Sequence, residues 1–400
     1  MTQPDPALPR IRLRPKVQAR AIRHGFPWVY ADELVLDRRT RALAPGALAV
    51  LEDAERAPLG LVTINPTSKI VARMLDRELS AQIDAAWLTA RIARALELRE
   101  RLYPDPFYRL VHAEADGLPG VVIDRFGEAA VIQPNAVWAE VRIGELVEAL
   151  VSVTGVGTVV KNGTGRARTL EGLPEETQVL RGRAEAPVPV PMNGATYLAD
   201  LTGGQKTGLF YDQRPNHAFA AGLAKGGRIL DVFCHVGGFA LAALAAGAEH
   251  ALAVDSSAPA LDLAEGGARA TGVNARFETR RGDAFAVLEA LAAEGARFDL
   301  VVCDPPAFAP NRQALEAGLR AYERLARLSA ALVAPGGFLG LCSCSHAADL
   351  AAFRTACSRG IGRAGRWPQL LQTGFAGPDH PQLPQLAESG YLKALFFRLD

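Results

Sequence analysis

Hydrophobic positions change period along this chain. At the start they alternate with cations, Arg10-Ile11-Arg12-Leu13-Arg14, the period of two that predicts a strand with its arginines on one face. Short apolar runs bounded by turn residues predict three further strands at 47–51, 59–64 and 70–74. The spacing of Ile83, Trp87, Leu88, Ile92 and Leu96 predicts a helix over 81–103. Strands at 121–124 and 129–133, joined through Arg125-Phe126-Gly127, read as a hairpin, with an amphipathic helix near 139–151. The stretch 161–183 is polar and irregular, and Pro187, Pro189 and Pro191, alternating with valines, predict an extended linker.

Beyond it, apolar strands alternate with helices, the pattern of a doubly wound parallel sheet. Ile229, Leu230, Val232 and Phe233 form the first apolar run, which breaks at Gly237-Gly238 and continues as an alanine-rich helix to about residue 246. Strands follow at 251–254, 275–279, 298–303 and 338–341. Asp231, Asp255, Asp283 and Asp304 all fall at predicted strand ends, where open α/β sheets bind ligands.

Composition narrows the class. Four hundred residues, 49% of them hydrophobic, suffice for two or three domains with real cores. A net charge of +1 means that any nucleic-acid contact must come from local patches. The five cysteines have neither metal-ligand nor secreted-framework spacing, and no metal is expected. No signal-peptide core or membrane-length apolar run is present, so a reducing, cytoplasmic setting and no membrane partner are expected.

The turn after the first strand of the sheet contains Gly237-Gly238 where a ligand could approach the backbone, but it lacks the third glycine of a dinucleotide fingerprint. A pyrophosphate is therefore disfavoured, while Asp255, roughly 20 residues on, suits a ribose diol. The segment Thr202-Gly203-Gly204-Gln205-Lys206-Thr207-Gly208-Leu209-Phe210-Tyr211-Asp212-Gln213-Arg214 crowds polar groups that are costly to bury, and it can present Gln213 or Arg214 to a bound cofactor. Arg10, Arg12, Arg14 and Lys16 open a stretch without acidic residues, the type of surface that contacts a phosphate backbone. Glu114, Asp116 and Asp124 lack His or Cys partners and read as turn-capping groups.

These stretches together resemble a known family. The Asp231-to-Phe239 turn resembles motif I of class I methyltransferases, which bind S-adenosylmethionine. Glu114-x-Asp116-Gly117-Leu118-Pro119-Gly120, Gly208-to-Arg214, Gly237-Gly238-Phe239, Asp304-Pro305-Pro306-x-Phe308, Ser343-Cys344-Ser345 and the closing Gly390-Tyr391-Leu392-Lys393 resemble the ribosomal RNA large subunit methyltransferase I family. The resemblance implies a Rossmann-like class I methyltransferase domain over 191–400, a small PUA β-barrel over 1–76 and an α+β middle domain over 77–190. It further implies methylation of carbon 5 of a cytosine in 23S rRNA, with RNA as the partner and a homodimer left open.

For the cofactor it points to Phe233, Gly237, Gly238, Phe239, Asp255 at the ribose, Asp283 at the adenine amino group, Asp304, Gln213 and Arg214. For RNA the charge pattern points to Arg10, Arg12, Arg14 and Lys16, with Lys206 beside the cofactor segment; a solvated charged edge is the alternative for the first four. Cys344 matches the family's Ser-Cys-Ser and is implied as the nucleophile, with Asp304 holding the base. Cys303 reads as a small buried residue, and Cys342 shares a strand face with Cys344 by the period of two. Two departures stand out: Ala307 where the family usually has lysine, and His346 where glycine is common. Methylation of a base nitrogen through the Asp304 loop, or RNA binding without catalysis, are the alternatives.

Overall fold

The computed structural model describes residues 8–184, 187–203 and 208–400, and these form two compact units. The first comprises Met1–Ala186, Leu201–Gly208 and Pro378–Ser389; the second comprises Pro187–Asp200, Leu209–Gly377 and Gly390–Asp400.

The first unit begins with β1 (Arg10–Arg12), α1 (Arg20–Arg23), β2 (Trp28–Tyr30), α2 (Arg38–Arg41), β3 (Ala47–Glu52), β4 (Pro58–Ile64) and β5 (Ile70–Asp76). Its sheet runs β1-β3-β4-β5-β2 over a core of Ile11, Leu13, Val29, Leu51, Val62 and Val71. The alternation at β1 is real, with Ile11 and Leu13 buried between half-buried or exposed arginines. The long helix α3 (Ala85–Leu102) leads to a second sheet, built from β6 (Phe107–His112), β7 (Val121–Phe126), β8 (Ala129–Pro134), β9 (Thr158–Asn162) and β10 (Thr177–Arg181). Between them lie α4 (Val137–Val141), α5 (Ile143–Thr154) and α6 (Arg166–Leu170), so the single helix expected near 139–151 is two. The stretch 161–183 is likewise ordered as strand, helix and strand, because β10 pairs with β9 although most of its side chains face solvent.

Of the acidic residues in the hairpin region, Asp116 does hold a turn, accepting from His112 N–H at 2.6 Å at the start of the 113–116 turn, but all three are also tied into ion pairs. Arg99, fully buried, holds both oxygens of Asp116 at 2.7 Å; Arg109 pairs with Asp124, and Arg73 joins Glu114 to Glu171. Buried carboxylates need such partners, and these are ion pairs of the fold rather than chemistry.

The second unit opens with the expected linker, which is instead a strand. β11 (Val188–Met192) pairs antiparallel with β12 (Ala195–Ala199), prolines 189 and 191 facing solvent and Val190 and Met192 facing the core. Proline is tolerated because this two-stranded ribbon asks nothing of its missing N–H groups on that edge. After α7 (Arg214–Leu223) come β13 (Arg228–Val232), α8 (Gly238–Ala245), β14 (His250–Asp255), α9 (Ala258–Thr271), β15 (Phe277–Arg281), α10 (Ala284–Ala293) and β16 (Phe298–Cys303). They are followed by α11 (Leu315–Leu332), β17 (Val333–Ser343), α12 (Leu350–Arg363), β18 (Pro368–Gly374) and β19 (Lys393–Leu399).

The seven strands lie in the order β15-β14-β13-β16-β17-β19-β18, the first five parallel and β19 antiparallel to both neighbours. Strand β13 is buried on both faces beyond Arg228, as in parallel sheets with helices on either side, and it carries one charged group inside, Asp231. The chain steps outward from β13 to β15, then returns to the other side of β13 as β16. That reversal opens a crevice at the carboxyl ends of β13 and β16, where doubly wound sheets take their ligands. Helix α9 runs unbroken through Gly266 and Gly267, which buy close packing: a Cβ on Gly267 would lie 2.8 Å from Leu241 and 3.0 Å from the Thr196 carbonyl on β12.

Candidate functional site

Strand β13 ends at Val232, and the turn that follows is unusual in its backbone. Phe233 (φ 63°), His235 (φ 50°) and Gly237 (φ 81°) alternate through the left-handed region, which non-glycine side chains rarely adopt. Backbone strain of this kind persists only where neighbouring bonds hold it, and it concentrates at functional turns. Here Cys234 N–H donates to the Val254 carbonyl and His235 N–H to Asp255 Oδ2 at 2.9 Å, so the second strand end holds the turn of the first.

Asp231, fully buried, accepts from the N–H groups of Phe239 (3.1 Å) and Ala240 (2.9 Å) at the start of α8. Burial raises its pKa to about 7, and its Oδ1 has no hydrogen-bond partner in the chain alone. Gly238 lacks a side chain for a reason the sequence did not suggest. A Cβ there would sit 2.7 Å from His217 Nε2, so the missing atom makes room for a protein ring rather than a ligand. That imidazole packs edge-on against Phe239 at 4.5 Å, and burial drops its pKa to about 3, leaving it neutral.

Asp255, half-buried, also accepts from Ser257 N–H, one bond per oxygen, which leaves lone pairs on both. Asp283 caps α10 through Oδ1 to Ala286 N–H at 3.0 Å and is otherwise exposed. The preceding strand starts later than expected, at Phe277, because residues 274–276 form a short 3₁₀ turn. Phe233, Phe285 and Phe308 gather nearby, with Phe308 6.4 Å from Phe233 and 6.1 Å from Phe285.

Gln213 and Arg214 lie differently from one another. Gln213 is buried, accepts from Asn216 Nδ2 at 2.6 Å and sits beside the Cys342 sulfur. Arg214 is half-buried with its guanidinium over the Tyr211 ring. Asp212, just before them, accepts from the Tyr391 hydroxyl at 2.5 Å, joining two of the motifs read from the sequence. Lys206 lies outside the described residues. In the first unit Arg10 pairs with Glu52 and Arg14 donates to the Leu34 carbonyl, while Arg12 is half-buried and Lys16 is exposed.

Two loops meet beyond β16 and β17. Asp304 N–H donates to the Val232 carbonyl at 3.1 Å, which ties the Asp-Pro-Pro loop to the end of β13. Strand β17 ends at Ser343, so Cys344 starts a loop instead of continuing the strand face of Cys342. Tyr322 on α11 holds both flanking serines: Ser343 Oγ donates to its hydroxyl at 2.8 Å, and its hydroxyl lies 2.8 Å from Ser345 Oγ. Ser345 Oγ in turn accepts from Ala309 N–H, joining the cysteine loop to the Asp304 loop. Cys344 is half-buried, whereas Cys234, Cys303, Cys342 and Cys357 are all buried. Burial pushes each of those four thiols up, Cys303 to about 12.

Sequence reasoning marked Asp231 only as one of four strand-end carboxylates and assigned no role to Tyr322, His217 or Lys393. Tyr322 reads as an ordinary core position on a helix, and only the closing motif marked Lys393. The residues present fit S-adenosylmethionine in chemistry. They offer a buried acceptor without a partner at Asp231, open carboxylate oxygens at Asp255 and Asp283, and aromatic rings for a flat base. Among the described residues no group of three or more His, Cys, Asp or Glu is arranged to hold a metal, and no helix is long and apolar enough to cross a membrane.

Comparison with known proteins agrees with this geometry. Residues 175–398 match the S-adenosylmethionine-dependent methyltransferase family and residues 11–77 a PUA-like domain. A ribosomal RNA large subunit methyltransferase of Deinococcus radiodurans is 35% identical over the full length of both chains. The ribosomal RNA large subunit methyltransferase I of Erwinia tasmaniensis is 31% identical over 96% of this chain and 98% of its own. Among solved structures, a Streptococcus mutans protein described as a SAM-dependent methyltransferase superposes with a TM-score of 0.82 at 17% identity, covering 98% of this chain and 100% of that one. A methyltransferase complexed with SAH superposes equally well, with a TM-score of 0.82 at 18% identity over 98% and 99% of the two chains.

Proposed function

From the premise that this chain belongs to the S-adenosylmethionine-dependent ribosomal RNA large subunit methyltransferase I family, we propose that it methylates carbon 5 of a cytosine in 23S rRNA, with Cys344 as nucleophile. One observation carries the choice of atom. Of five thiols only Cys344 is open to a substrate, and it stands at the carboxyl edge of the sheet, bonded through Ser345 to the Asp304 loop. Methylation of a base nitrogen needs no such thiol.

Carbon 5 of cytosine is too electron-poor to take a methyl group unaided. The Cys344 thiolate adds to carbon 6, and the carbon 5–carbon 6 π pair moves to carbon 5. S-adenosylmethionine, when bound, supplies the methyl group from its sulfonium and leaves as S-adenosylhomocysteine. A base then removes the carbon 5 proton, the double bond re-forms, and the thiolate departs. Asp304 holds the ring-nitrogen and amino edge of the base during the addition.

In this reading Asp255 receives the ribose hydroxyls, Asp283 the adenine amino group, and the Phe233-to-Phe239 turn the rest of the cofactor, with Gln213 and Arg214 toward its amino-acid end. Asp231 adds a buried acceptor to that set. The division into 1–76, 77–190 and 191–400 assigns RNA affinity to the first part, through Arg10, Arg12, Arg14, Lys16 and Lys206. Mapping modified nucleosides in 23S rRNA from cells with and without the gene tests the whole reading. One 5-methylcytosine should vanish on deletion and return with the wild-type gene. Loss of a nitrogen-methylated base instead would replace the carbon target.

A further inference from the structure

Lys393 is 6% exposed, and a lysine that deep needs an explanation. It opens β19 directly opposite Ser343, the last residue of β17 and the neighbour of Cys344. From there its ammonium turns into the 344–348 loop and donates to the carbonyls of Ser345 (2.8 Å) and Ala348 (2.9 Å). Both partners are neutral. No carboxylate among the described residues forms an ion pair with it, although taking an ammonium out of water costs several kcal/mol that only an opposite charge largely offsets.

The charged and titratable groups around this loop come from each element packed on it. They are Lys393 from β19, Tyr322 from α11, Asp304 after β16, Asp349 at the start of α12, His346 within the loop, and Tyr391 before β19, whose ring lies 5.9 Å from that of His346. Asp349 is exposed and occupied as the cap of α12 through Ala352 N–H. Burial pulls the Lys393 pKa below the ordinary lysine range, and Cys344 is the first of the two groups whose negative charge opposes that pull. The buried ammonium, bonded to the Ser345 and Ala348 carbonyls, and the half-buried cysteine therefore share one short loop.

We propose that Lys393 is a positioning residue whose buried ammonium is the counter-charge of the Cys344 thiolate, wrapping the nucleophile's loop around a fixed positive charge. The role rests on the reading of Cys344 as nucleophile. It explains why the Gly390-Tyr391-Leu392-Lys393 motif, far from the cofactor turn in sequence, belongs to the same centre. A free cysteine, with a pKa of about 8.5, is a few per cent thiolate at neutral pH, and a desolvated cation at short range shifts that fraction upward.

The test is the pH dependence of iodoacetamide alkylation at Cys344 in the full chain, followed by peptide mass spectrometry, with the four buried cysteines as internal controls. Lys393→Gln keeps a donor for the loop carbonyls and removes the charge; Lys393→Arg keeps the charge. The alkylation midpoint should rise by at least one pH unit in Lys393→Gln, about a tenfold loss of thiolate at neutral pH, and stay near wild type in Lys393→Arg. The limiting rate at high pH should be unchanged, since a loop that had merely opened would raise it. Methyl transfer by Lys393→Gln should recover as pH is raised.

An unchanged midpoint in Lys393→Gln overturns the proposal, as does a shift accompanied by a raised limiting rate and equal in Lys393→Arg. Retained methyl transfer in Cys344→Ala overturns the nucleophile reading separately, since alkylation does not depend on the target base.

Discussion

Tyr322→Phe removes one oxygen from the protein and leaves its ring in place between Phe308 and Phe353, both 4.9 Å away. The lost hydroxyl bonds Ser343 and Ser345, the two residues that flank Cys344. Both serines keep one other bond, Ser343 from Ser345 N–H and Ser345 from Ala309 N–H, so neither oxygen is stripped bare. Two neutral buried hydrogen bonds at about 1 kcal/mol net each give a local loss of about 2 kcal/mol. With two units in the chain, a global unfolding midpoint would blur that figure. Hydrogen–deuterium exchange of the 338–349 peptide reads it locally, as amides that open about 30-fold more often at 2 kcal/mol. Misplacing a nucleophile by even about 1 Å can cost on the order of 100-fold in rate, so kcat should fall tenfold or more while S-adenosylhomocysteine affinity holds. Unchanged exchange together with a wild-type kcat would refute the idea that this hydroxyl fixes the cysteine loop.

Gly267→Ala should destabilise the second unit by about 1–3 kcal/mol despite alanine's better helix propensity, because α9 must move off β12; a raised melting temperature would contradict that packing. Asp231 has a folded pKa raised by burial to about 7, above its unfolded value, so its contribution is fully present at low pH and is lost as pH rises from about 4 to 7. Asp231→Asn should lack that fall, and stability curves of the two proteins that run parallel over this window would count against it. Replacing Arg12 and Lys16 by Gln should lower the slope of log affinity for single-stranded rRNA fragments against log salt by about 0.7 per lost phosphate contact, with cofactor affinity intact; an unchanged slope would make them merely solvated.

The legible parts of this chain were those written in local pattern. The βαβ repeat, the Gly237-Gly238 turn and the four strand-end aspartates follow from period and turn chemistry alone, and the structure gathers Asp231, Asp255 and the Phe233 turn through short bonds. Local rules misread the hairpin of β11, where alternating prolines look like a linker unless the pairing strand is known. They also extended the β17 face to Cys344, although the strand stops one residue earlier. What no local rule could show is closure over distance. Lys393 reaches a loop 48 residues back, Tyr391 bonds Asp212 across 179, and His217 occupies the space that Gly238 leaves empty. Such contacts exist only once the sheet has assembled.

The central claim is that Cys344 attacks carbon 6 of a cytosine, and a substrate that stalls the reaction after attack tests it most directly. RNA carrying 5-fluorocytosine has no proton at carbon 5 to lose, so the thiolate cannot leave once the methyl group is on. Incubated with this protein and S-adenosylmethionine, it should give a covalent protein–RNA adduct that survives denaturing gels and maps to Cys344. The adduct should be absent without the cofactor and in Cys344→Ala, and present in Cys303→Ala and Cys342→Ala. No adduct from the wild type, with full methyl transfer by Cys344→Ala on ordinary RNA, would contradict the account and move the chemistry to a base nitrogen at the Asp304 loop.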